Sequence, residues 1–148
     1  MGSAKHIMAK TSFNPALPLA IVVLLAVIEV ALIVTGFLSP VLSYSPGNLV
    51  FTFARFAIVV YAGVFSAKEG LKKSALNGSA IAFAASLAIC IIAFFAGSYF
   101  GVPVLGLSVP NLPYKILMFA IIVVENTLLG AIVAVVAGWL SMRFGKGK

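Results

Sequence analysis

Aspartate is absent from this 148-residue chain, and its acidic side chains are Glu29, Glu69 and Glu125 alone. Cysteine and histidine occur once each, as Cys90 and His6. A single cysteine excludes an intrachain disulfide and any multi-cysteine metal motif. Set within an apolar run, Cys90 reads as a small core residue, and His6 as a tail residue. The same shortages remove most catalytic constellations: there is no HExxH, no glycine-rich phosphate loop and no GxSxG. Membrane enzymes acting on lipid phosphates draw on acidic metal ligands near the cytoplasmic surface, where Glu69 would stand alone. The chain is therefore expected not to be an enzyme and to need no cofactor or metal.

Charge is scarce as well: 9% of residues are charged and 63% hydrophobic, against about 25% and 45–50% in a soluble domain. That composition excludes an ordinary soluble fold and points to a single membrane domain. The formal charge of +7 does not indicate nucleic acid. Such binding needs a basic face on a soluble fold, whereas these cations sit in short segments between apolar stretches. They suit topology signals and anionic headgroups, with Lys68, Lys72, Lys73 and Arg143 as the lipid-headgroup set.

The fold class expected is all-α, a four-helix transmembrane bundle with up-down topology and both termini cytoplasmic. Residues 1–14 form a basic N-terminal tail, 15–142 the membrane domain and 143–148 a basic C-terminal tail. The spans are placed at about 15–38, 49–67, 77–100 and 114–142. The first follows a basic stretch, as a signal peptide's apolar region would. It is too long for that region and no small-residue cleavage site ends it, so it is read as a helix of the mature protein. Pro15 and Pro18 suit its first turn, where a missing N–H costs nothing. The segments 39–48 and 101–113 are uncharged and rich in proline and glycine, as loops are. Lys5, Lys10, Lys68, Lys72, Lys73, Arg143, Lys146 and Lys148 fall on one side of this arrangement and Lys115 on the other. By the positive-inside rule the first side is cytoplasmic, with Trp139 near that interface and Tyr44, Tyr99 and Tyr114 near the outer one. The expected location is the cell membrane.

Within the spans three ionisable residues stand out, since a charge there must be neutralised, hydrated or paired. Measured from the outer ends of their spans, Glu29 lies roughly 13 Å deep, Arg55 about 10 Å and Glu125 about 17 Å. A short loop makes the first two helices antiparallel neighbours, so Glu29 and Arg55 are the expected ion pair. Glu125, Asn126 and Thr127 complete the candidate polar centre. No second intramembrane cation is available to Glu125.

Small residues mark the packing surfaces. Gly130, Ala134 and Gly138 form one ridge on the fourth helix, and Gly97 and Gly101 make a GxxxG in the third. At 100° per residue Glu125 points well away from the ridge. One of the two therefore faces the bundle and the other a neighbour, which predicts a homo-oligomer or a complex with other membrane subunits. VIEVAL and VVENTL, around Glu29 and Glu125, are too short a likeness to make an internal repeat. Two functions follow from the residues. The first is a non-catalytic accessory subunit or scaffold that docks partner helices through the small-residue faces. The alternative is an oligomeric channel or transporter for protons or small cations, using Glu125, Glu29 and Arg55.

Overall fold

The structure, a computed structural model, describes residues 13–43, 45–105 and 112–145. Lys5, His6, Lys10, Tyr44, Lys146 and Lys148 lie outside these, as do residues 106–111. The described chain is all-helical: α1 (Ala16–Val34), α2 (Pro46–Ser66), α3 (Leu71–Phe100) and α4 (Leu112–Phe144), with short 3₁₀ turns at Val41–Ser43 and Ala67–Glu69. All four helices are long and apolar enough to cross a membrane.

Local chemistry moves three boundaries from where hydropathy alone puts them. The first helix ends at Val34 rather than near Leu38 because the Thr35 hydroxyl turns back to donate to Ala31 O at 2.8 Å, and Gly36 follows with a positive φ. The second starts at Pro46 rather than Leu49, since Ser45 Oγ accepts from Asn48 N–H and Pro46 occupies the first turn. The third begins at Leu71, ahead of Asn77. Gly70, at φ 111°, separates the Ala67–Glu69 turn from α3, a conformation open to glycine and costly for other residues. Lys72 and Lys73 thus belong to the first turn of α3 and not to a loop.

The four helices form a bundle in which α3 is central and packs against all the others, most extensively α4. The α2–α4 and α1–α3 contacts are also broad, and α1 meets α2 more narrowly. Where α2, α3 and α4 meet, glycine permits backbone to approach backbone. A Cβ added at Gly63 would lie 2.6 Å from Ala134 Cα, one at Gly78 2.6 Å from Gly130 O, and one at Gly138 2.9 Å from Gly63 O. Real Cβ atoms do not come so near. The ridge Gly130, Ala134 and Gly138 is accordingly buried within the chain, so it is not a surface for docking other proteins. Within the described chain Gly97 and Gly101 meet no neighbouring helix. Gly101 adopts a left-handed conformation that ends α3, with open space around its Cα, and Gly97 has only Val102 O nearby. A GxxxG at a helix end satisfies the terminating geometry instead of a neighbour.

Aliphatic packing divides into two clusters. Ala26, Val30 and Ile33 of α1 meet Ile89, Ala93 and Ala96 of α3 in one. Val22, Val59, Ala62, Ile81, Ala85 and Ala134, from all four helices, make the other.

Candidate functional site

Glu29 lies on α1 between Ala26 and Val30 of the first cluster and is fully buried. Arg55, on α2, reaches it: Arg55 Nη1 donates to Glu29 Oε2 in a salt bridge, with the arginine side chain 14% exposed. The second carboxylate oxygen, Glu29 Oε1, is buried with no hydrogen-bond partner among the described residues. Breaking such a pair by removing one member leaves an uncompensated buried charge, whereas the intact pair roughly offsets its own desolvation.

Glu125 and Asn126 are not part of this buried centre. Both are exposed midway along α4, and Thr127 is partly buried. The cause is the ridge: burying Gly130, Ala134 and Gly138 turns the opposite side of the helix outward. Asn126 Nδ2 donates to Ile122 O at 2.8 Å and Thr127 Oγ1 to Val123 O at 2.6 Å, so both satisfy donors within their own helix. The Glu125 carboxylate has no hydrogen bond or ion pair among the described residues. Leu117, Ile121, Leu128 and Ile132, at three- and four-residue spacing around it, are 48–60% exposed. The polar residues thus form two sites, a closed pair inside and an open carboxylate in an apolar stripe outside.

Other buried polar contacts are harder to read from sequence. Ser74 Oγ donates to Gly63 O at 2.9 Å and Asn77 Nδ2 to Ser66 Oγ at 2.6 Å, tying α3 to α2 beside the glycine contact. Asn48 is buried at the start of α2, and its Nδ2 donates to Ser39 O and Pro40 O at 2.9 and 2.8 Å, fixing the α1–α2 connection. Its position three residues after a capping Ser, within SPGN, is the one sequence signal of that role.

The headgroup candidates gather at one end of the bundle. Lys68, Lys72, Lys73 and Arg143 are exposed. The Lys68 ammonium lies 5.8 Å from the Phe65 ring and the Arg143 guanidinium 5.2 Å from Trp139. Phe13 N–H donates to Glu69 Oε1 at 3.2 Å, and Gly138 sits against Ala67, so the start of α1, the α2–α3 turn and the end of α4 converge. At the opposite end Val41 N–H donates to Val104 O at 2.8 Å. Among the described residues, no three His, Cys, Asp or Glu side chains come together as metal ligands.

No protein-family model, curated protein or solved structure matches the chain.

Proposed function

We propose that this is an integral protein of the cell membrane, an accessory subunit or scaffold without catalysis of its own, which receives partner helices on the outer face of α4. The four apolar helices support membrane insertion. An up-down arrangement is supported by the pairing of Phe13 with Glu69 and Glu29 with Arg55, and of Gly78 with Ala134 and Phe94 with Phe119. In each set residue numbers rise on one helix as they fall on the next. The exposed cations at the end shared by the start of α1 and the end of α4 support a cytoplasmic placement of that end by the positive-inside rule.

The observation that carries the docking role is Glu125. Carboxylates in membrane spans face a bundle interior, a water-filled cavity or a partner. This one faces outward in an apolar stripe, without a counter-charge in the described chain. A partner helix bearing a cation or hydrogen-bond donors would satisfy it. The test is the composition of the particle extracted from native membranes in mild detergent. Other chains in fixed ratio, lost from a folded Glu125→Leu variant, are the expected result. A particle containing this chain alone as a monomer would sink the proposal.

A second reading, an oligomeric proton or cation path, draws on Glu29 Oε1, a buried carboxylate oxygen with no partner among the described residues. It differs in its outcome: the extracted particle would hold several copies of this chain only. Glu125→Gln would then abolish flux in liposomes while leaving the assembly intact.

A further inference from the structure

Towards the end of the bundle away from the cationic cluster, two adjoining hollows lie between α3 and α4. One is an open apolar groove of about 370 Å³, walled by Cys90, Ile91 and Phe94 of α3 and by Ile116, Phe119 and Val123 of α4, among others. The other is smaller, about 80 Å³, and Lys115 lines it together with Gly97 and Val102. Phe94 and Phe119 line both, their rings edge-on with centroids 6.4 Å apart. From Lys115 to Val123 the wall of α4 runs about 12 Å along the helix axis.

We propose that these hollows are one phospholipid site, with the phosphodiester of an outer-leaflet lipid against Lys115 and one acyl chain lying along the groove. The inference rests on the membrane reading above. Charge complementarity selects the occupant. Lys68, Lys72, Lys73 and Arg143 gather at the other end, so among the described residues Lys115 is the cation at this helix end. It stands in the first turn of α4, at headgroup level, where an anionic phosphate is the group a lysine meets. Directly beneath it lies an apolar slot with no polar side chain to hydrogen-bond a peptide or sugar, which suits hydrocarbon. A lipid tail running past a lysine at the interface matches both halves of the site with one molecule.

The experiment is native mass spectrometry of the full chain, stripped of lipid in mild detergent and titrated with phosphatidylglycerol or with diacylglycerol of the same chains. Phosphatidylglycerol should bind at one per chain, at least tenfold more tightly than diacylglycerol. Lys115→Gln should remove that preference and Lys115→Arg retain it. Ala120→Phe, which fills the groove from its α4 wall, should weaken both lipids. Equal binding of the two lipids by the parent protein, or unchanged affinity in Lys115→Gln, would overturn the proposal. Resistance of each variant to alkaline extraction from membranes is read separately. If the parent chain is released by alkali the membrane reading fails, whereas a retained chain without lipid preference overturns the lipid site alone.

Discussion

At the scale of single residues the protein is governed by how few charges it carries and where each one ends. Glu29, set between Ala26 and Val30 of the α1–α3 cluster, closes on Arg55. Glu29→Ala should cost about 3–5 kcal/mol, because Arg55, mostly withdrawn into the bundle, is then left unpaired. Glu29→Ala combined with Arg55→Leu should recover much of that loss, read as the unfolding midpoint in a denaturing detergent titration. A double variant no more stable than the single one would rule out the pair as the source of the effect. Asn48 acts at the same scale. Asn48→Ala removes the donor to Ser39 O and Pro40 O, at about 0.5–1.5 kcal/mol for a hydrogen bond lost, since Pro40 O keeps the Ser43 N–H. Amide exchange should rise in residues 38–43 and not in α3. The Glu29–Arg55 pairing was legible in sequence because a short loop and matched depths leave little choice of partner. Asn48 was not, since an asparagine after a turn serves equally well in solvent.

Among elements, the deciding quantity is the room between helix backbones. Gly78→Ala places a Cβ where Gly130 O stands, and Gly63→Ala places one against the Ala134 backbone. Each should lower stability by about 1–3 kcal/mol, as overpacking does. Gly97→Ala meets only Val102 O at 3.6 Å, an ordinary contact, and should change stability by less than about 0.5 kcal/mol. Thermal unfolding of the three variants in one detergent would separate them, and equal losses would contradict the packing described. The number of helices and the small-residue ridge on α4 follow from hydropathy and spacing. Which side of α4 turns inward does not, because a glycine ridge and a glutamate on opposite faces each ask for a neighbour. Only the matching glycines on α2 and α3 decide it, and single-helix periodicity holds no information about them. The Gly97–Gly101 pair shows the converse: a spacing that suits helix contact is used to end a helix.

For the whole molecule, the distribution of exposed surface matters more than the buried core. Of the most apolar window of α4, 6% is buried within the chain, against 44% for α3, so α4 is the helix with most surface left for lipid or protein. Ile121 and Leu128 flank Glu125 on that surface, and both are exposed. With Cys90 replaced by Ala, cysteines at these two positions should cross-link to another chain in native membranes. A cysteine at Ala134, which is fully buried, should not. Orientation is checked independently. Cysteines at Lys72 and Arg143 should react with an impermeant reagent from the cytoplasmic side, and one at Lys115 from the opposite side. Reaction of the Lys72 and Arg143 positions from different sides would refute the up-down arrangement.

The glycine seam also has a consequence in time. The cleft that α4 fills is built from Gly63 on α2 and Gly78 and Ala82 on α3, all of which leave the ribosome before α4 does. Until the last helix arrives, the nascent bundle presents a narrow furrow lined by bare backbone, a shape that any small-faced helix nearby could enter. Synthesis of the final quarter of the chain is thus the period in which this protein is most open to the wrong companion. A slow passage through that stretch would prolong the risk without altering one contact in the finished fold.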